Sequence, residues 1–216
     1  MATRKIVPRA DNEGGIGTAL KRWASAFINA LTADSATIGA LSGIVKAAAG
    51  VLSATALGTA RQIFVMNEAG TLPEFATLPK FSAHKNGTGQ SGIVTATQTK
   101  VTFTTEVYDV DSKYDAANSR WVPGVIGKAH IDANLFWDNA VDQVELQANV
   151  YKNGVLYKTG AVRTSGTSYH WCHISCDVLV DVVTDFFEIY CFQACGDNRS
   201  VHGDSAHTWF MGHMLV

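Results

Sequence analysis

The chain has 216 residues, of which 47% are apolar and 17% charged, and its formal net charge is −2. A pI near 6.4 excludes a strongly basic nucleic-acid binder, and 4 prolines beside 19 glycines exclude collagen and proline-rich linkers. Charge below the usual quarter or so of residues points to surface covered by partner chains.

The opening MATRKIVPRADNEGG mixes both charge signs and has no apolar core, so no signal peptide is expected. No apolar run reaches the ~18 residues of a membrane helix, and membrane insertion is not expected. Thr18 caps a predicted helix in which Leu20, Trp23, Phe27 and Leu31 recur at spacings of three and four. A lone amphipathic helix of about four turns is marginal in water. Ile16, Leu20, Trp23 and Phe27 are therefore candidate docking residues against another subunit, the alternative being a helix packed on its own domain.

In residues 32–60, 20 of 29 positions are Ala, Gly, Ser or Thr, and only Asp34 and Lys46 are charged. That stretch cannot build a core of its own; it is a linker or packs against copies of itself. Residues 1–80 hold only four aromatics (Trp23, Phe27, Phe64 and Phe75). The remainder holds the other 17 of the 21, with all seven histidines and all four cysteines. The expected organisation is a docking segment over 1–34, an extended stalk over 35–80 and a head over 81–216.

The head reads as strands. Residues 100–108 alternate Val101, Phe103, Thr105 and Val107 with polar neighbours, and 127–137 form another run. Residues 142–151 alternate cleanly into Lys152, Asn153 and Gly154, a hairpin signal leading to 155–158. Two long strands, 170–183 and 186–194, flank Thr184 and Asp185, and a last strand covers 208–216. With no helical stretch between them, these predict an antiparallel β-sandwich or jelly roll. The fold class is mainly β, with a short N-terminal helix and a stalk rich in small residues.

Four cysteines without an export signal read as reduced thiols. A turn at Thr184 and Asp185 would pair Val178 with Cys191 and Cys176 with Gln193, which keeps a cross-strand disulfide open. Zinc is a third reading, although C-x3-C within strands sets the sulfurs of a pair ~13 Å apart at ~3.3 Å per residue. Asp109, Asp111, Asp115 and Asn118 form either a solvated turn or a calcium loop. The glycine-rich tract 86–92 lacks the lysine of a phosphate loop. In CGDNRSVHGDSAH, residues Asn198, Arg199, His202, Asp204 and His207 form a candidate receptor-contact loop. No nucleophile elbow accompanies them. Asp132, Asp138, Asp142 and Glu145 are carboxylates a glycan hydrolase could use, yet nothing singles out a pair. No catalytic residue, metal or cofactor is expected.

The order Val101 and Phe103, Tyr114 and Asp115, Trp121, Pro123, Gly127, then Phe210, Gly212 and Leu215 resembles the trimeric jelly-roll heads of the complement and tumour necrosis factor superfamily. Gly127-Lys128-Ala129-His130 departs from that family's glycine–tyrosine–phenylalanine. The resemblance implies a trimer packed around a threefold axis and no particular ligand. Upstream, Gly17, Lys21, Arg22, Trp23 and Phe27, followed by GVLS, resemble bacteriophage tail-fibre segments. Together these imply a homotrimeric tail fibre or spike, assembled in the host cytoplasm and located in the virion. Its N-terminus would dock to other virion proteins, and its head would bind a host surface glycan or protein, with no nucleic-acid partner and no enzymatic activity. A capsid decoration (head-fibre) protein is the alternative, and a glycan-degrading virion enzyme the third.

Overall fold

A computed structural model describes residues 44–48, 51–55, 62–66 and 73–215 of the chain. The predicted docking helix, with Ile16, Leu20, Trp23 and Phe27, lies outside the described residues. The chain divides into compact units Met1–Leu41 and Ser42–Val216, and the described residues lie in the second.

Two separate hairpins come first. β1 (Ile44–Ala48) pairs with β2 (Val51–Thr55), and β3 (Ile63–Met66) pairs with β4 (Pro73–Ala76). The head then supplies β5 (Lys80–His84), β6 (Gln90–Ile93), β7 (Thr99–Lys100), β8 (Thr105–Val110), β9 (Tyr114–Asp115), β10 (Arg120–Trp121) and β11 (Gly127–Ala140). These are followed by β12 (Glu145–Lys152), β13 (Val155–Arg163), β14 (Ser168–Val180), β15 (Phe187–Gln193), β16 (Arg199–Val201) and β17 (Trp209–Met214). All pairings are antiparallel. The front sheet runs β8-β5-β17-β11-β14, with β16 and β6 continuing beside the far half of β11. The back sheet runs β9-β10-β15-β12-β13, with β7 also on β15. The chain crosses between the sheets after β6, β7, β8, β10, β11, β13, β14 and β15, which makes the sandwich a jelly roll.

Period-two alternation fills the space between the sheets. On β11 it sends Ala129, Ile131, Ala133, Leu135 and Trp137 inward, all fully buried. The signposts read from the sequence meet in that core. Phe81 stacks on Tyr114 at 4.6 Å between centroids and meets Phe210 edge-on at 4.7 Å. Tyr114 donates its hydroxyl to the Phe103 carbonyl at 2.8 Å. Ala129 stands inward and His130 outward.

Two local expectations are corrected. β14 and β15 do not form a hairpin: β14 pairs with β11, whereas β15 pairs with β12, β10 and β7 in the opposite sheet. The connection at Thr184 and Asp185 therefore crosses between the sheets, and Val178 opposes Ala129 rather than Cys191. The single strand expected over 100–108 is also two. It leaves β15 after Lys100, Val101 still donating its N–H to the Ile189 carbonyl at 2.9 Å, and resumes on β5 as β8. Val101 and Phe103 are core residues, whereas Val107 is exposed.

The sandwich has two unlike ends. Residues 73–79 lead into β5 at one end, where Pro79 accepts from the N–H of Met214 and where the 122–127 and 180–186 connections lie. Polar loops gather at the other, where Gly87 donates to the Gly203 carbonyl at 2.7 Å. Gly203 is required there, because a Cβ on it would sit 2.2 Å from the Thr88 carbonyl carbon.

Candidate functional site

The outward face of the front sheet is built by register. Across β5, β17, β11 and β14, directly paired residues point to the same side. One row is His84, Trp209, Asn134 and His173; the next is Ser82, Met211, Asp132 and Ser175; the third is Lys80, His213, His130 and Asp177. At the far end Phe136 pairs with Trp171.

This face carries rings where solvent-facing strand positions usually carry polar side chains. Trp171 is 53% exposed and Tyr169 54% exposed, and both pack on Phe136, at 4.7 and 5.3 Å between centroids. His207 and His202 close around the same Phe136 at 4.9 and 5.4 Å. Trp209 meets His173 edge-on at 6.0 Å, and the His130 and His213 rings lie 5.5 Å apart. Six of the seven histidines thus stand on one surface: 84, 130, 173, 202, 207 and 213. His170 pairs with the buried Trp137 and belongs to the opposite side.

Carboxylates and hydroxyls set the ring orientations. His130 donates from Nδ1 to Asp177 Oδ1 at 2.8 Å and faces Ser175 Oγ with Nε2 at 3.0 Å. His173 donates from Nε2 to Asp132 Oδ1 at 2.5 Å. Ser175, His130 and Asp177, from two adjacent rows, have the donor order of a hydrolytic triad. They lie on an open sheet surface, outside the two clefts described below.

The predicted receptor-contact residues divide between exposed and anchored. Asn198 is exposed. Arg199 lies in β16 and donates from Nη2 to Asp197 Oδ1 at 2.7 Å. Asp204 accepts at Oδ1 from the Ala206 N–H at 2.7 Å, and its carbonyl receives the N–H groups of His207 and Thr208. His202 accepts the Asp204 N–H at Nδ1, and the His207 ring is committed to Phe136. The loop is a built turn from which Asn198 and the Asp204 and His207 edges emerge at the polar end.

Several of the other candidate groups are occupied within the chain. Asp109 accepts the backbone N–H groups of Lys113 and Tyr114 at 3.0 and 2.9 Å, and Asp115 holds Asn118 and Arg120. Among the described residues no group of three or more His, Cys, Asp or Glu converges on a metal position. The cysteines are free thiols. Cys172 contacts the Leu146 and Gly160 carbonyls and Cys191 the Thr99 carbonyl, and burial pushes both thiols up to about 12. Asp142 accepts the Gly166 N–H and Glu145 accepts from Gln147, so neither is paired with the other. A cleft of about 430 Å³ beside β5 is lined by Leu78, Pro79, Tyr108, Val110 and Met214 among others. A smaller one involves Lys113, Tyr114, Val122 and Val183.

No family model matches the chain, and no curated protein does. Solved structures similar to it include murine APRIL, at 9% identity over 64% of this chain and 100% of that one, with a TM-score of 0.49. Eiger TNF from S. frugiperda is 8% identical over 64% of this chain and 93% of that one, with a TM-score of 0.47. The globular domain of zebrafish complement 1qA is 11% identical over 64% and 98%, with a TM-score of 0.42. The jelly roll stands on this chain's own strand order and pairing.

The sequence reading missed Tyr169, Trp171 and Trp209, and the buried Phe136 beneath the first two, as residues of this outward face. The signal was present in β14, where alternation that sends Cys172 and Ile174 inward must send Tyr169, Trp171 and His173 outward.

Proposed function

We propose that the chain is one subunit of a homotrimeric bacteriophage tail fibre or spike. It docks to other virion proteins by its N-terminal segment and binds a host surface glycan or protein through its head. The observation that carries this reading is the ring-bearing front-sheet face, with Trp171 and Tyr169 half exposed over Phe136. Aromatic residues mark the energetic centres of protein interfaces.

A second and third copy of the same chain fit this face. It bears both signs, with Asp132 and Asp177 beside histidines and the lysines 80 and 128 at one end, so copies can meet without excess like charge. The chain enters the head at that same end, through Pro79 and Lys80. Three parallel stalks would hold three heads side by side there, at high effective concentration. The small-residue stretch upstream gives the stalks a reason to associate. The polar loops, with Asn198 and Asp204, stand at the opposite end, free to touch a host surface, and three weak contacts sum by avidity.

In this reading the protein acts by binding rather than catalysis, and the Ser175–His130–Asp177 group is part of the subunit face. The full chain at micromolar concentration sediments as a trimer if the reading holds; a monomer overturns it. Antibody against residues 81–216, imaged on particles by electron microscopy, marks a tail structure. Label on the capsid shell instead establishes a head-fibre protein.

A further inference from the structure

We infer that the front-sheet face is a pH-gated subunit interface, closed near neutral pH and opened by protonation of its histidines. The inference rests on the proposed self-association through that face and concerns its regulation.

The charges around the six histidines come from β11, β14, β5 and the loop after β16, and β17 carries none. Lys128, Asp132 and Asp138 stand on β11, Asp177 on β14, Lys80 on β5 and Asp204 in the loop after β16. On the edge strand β8, Glu106 and Asp109 lie in rows with the inward Ala83 and Phe81 and so leave the face. Arg199 is paired with Asp197. Two lysines and four carboxylates give the face a formal charge of −2 with neutral histidines; six imidazolium ions would make it +4.

Only part of that added charge has a partner. His130 and His173 already donate to Asp177 and Asp132, so their protonation completes ion pairs within one chain. His207 lies 3.6 Å from Asp204. His213 faces His130 at 5.5 Å between centroids, a like charge once both are protonated. His84 and His202 use Nδ1 to accept the backbone N–H of Asn86 and Asp204, bonds that an imidazolium cannot keep. In a trimer the same groups recur around the threefold axis, so each unpaired positive charge of a closed face is repeated three times about that axis in a space with little water. Histidine is the side chain that changes charge between about pH 5 and 8. The free face tolerates these protons because water solvates them, whereas the closed face does not.

The test is sedimentation equilibrium of the full chain across that range, with near-UV circular dichroism following the packed tryptophans. The expected result is a trimer at about pH 7.5 that weakens by at least about a hundredfold by about pH 5.5, equivalent to taking up about one proton or more per pH unit. The near-UV signal stays folded. In the His130→Gln/His213→Gln double variant the trimer persists to lower pH. Equal association at both pH values overturns the gate and leaves the trimer standing. A monomer at neutral pH overturns the underlying face as well. Dissociation accompanied by loss of the near-UV signal, or a double variant with the wild-type pH profile, also overturns the gate.

Discussion

Gly212 lies flat against the indole of Trp121: a Cβ added to it would sit 2.9 Å from both Cε3 and Cζ3 of the ring. The same atom would be 3.0 Å from Phe81 Cε1, and Trp121, Phe81 and Phe210 are all fully buried. No neighbour is a flexible chain end that could swing aside. Gly212→Ala should therefore cost about 1–3 kcal/mol by overpacking. Urea unfolding should show a lower midpoint at unchanged slope, and an unchanged midpoint would mean that the ring stack gives way freely.

Asp185 joins the β14–β15 crossing to the β12–β13 hairpin. Its buried carboxylate accepts the Asp181 N–H at 2.7 Å, Asn153 Nδ2 at 2.7 Å and the Lys152 ammonium at 2.9 Å. Lys152 also pairs with Asp181. Burial opposes the charge on Asp185, but these bonds outweigh it and hold the carboxyl well below the usual carboxylate range. Asp185→Ala leaves Lys152 with Asp181 but takes the acceptor from the Asn153 amide and from the Asp181 and Val182 N–H groups, and should cost about 1–3 kcal/mol in chemical denaturation.

The same carboxyl sets an acid limit. Its folded pKa lies below its unfolded value of about 3.9, so between the two the unfolded chain binds more protons. Its contribution is therefore complete above about pH 4 and falls away as the pH drops further. In Asp185→Asn, unfolding free energy measured from about pH 5 down to 2 should decline less steeply than in the wild type. Parallel declines would remove Asp185 from the acid transition.

The strands were legible where local alternation decides them. Inward Ala129, Ile131 and Leu135, and the Asn153–Gly154 turn, could be read residue by residue because period and turn chemistry are local properties. The partner of β14 was not legible. Thr184 and Asp185 look like a hairpin turn, yet Asp185 spends its carboxylate on Asn153 and Lys152, more than thirty residues upstream, and carries the chain across to the other sheet. The candidate face was legible only in part: alternation in β14 turns Tyr169 and Trp171 outward, but it does not say what they meet. Phe136 and Trp171 meet only through the β11–β14 register, and no spacing within either strand announces it.

If the front-sheet face is a subunit interface, Trp171 and Tyr169 should be among its energetic centres. Trp171→Ser and Tyr169→Ser remove rings that are half exposed in the single chain, so the fold itself should lose little. A loss of about 2 kcal/mol or more at an interface centre is roughly thirtyfold in affinity per contact. Sedimentation equilibrium near neutral pH should show either variant dissociating at concentrations where the wild type stays assembled. Wild-type assembly in both would place the contact elsewhere.

The four thiols should separate into two classes by reactivity. Cys172 and Cys191 are buried between the sheets, and with pKa values pushed up to about 12 they hold about one thiolate in ten thousand near pH 8. Cys176 and Cys195 are half-buried, Cys176 with its thiol also raised by burial. A disulfide reagent such as dithiobisnitrobenzoate should label Cys195 and then Cys176 in the folded protein, and all four only in denaturant. Cys172→Ala and Cys191→Ala should leave the folded-state count unchanged, because neither thiol can react until the sheets part. Rapid labelling of four thiols without denaturant would show that the sandwich opens far more often than its buried core implies.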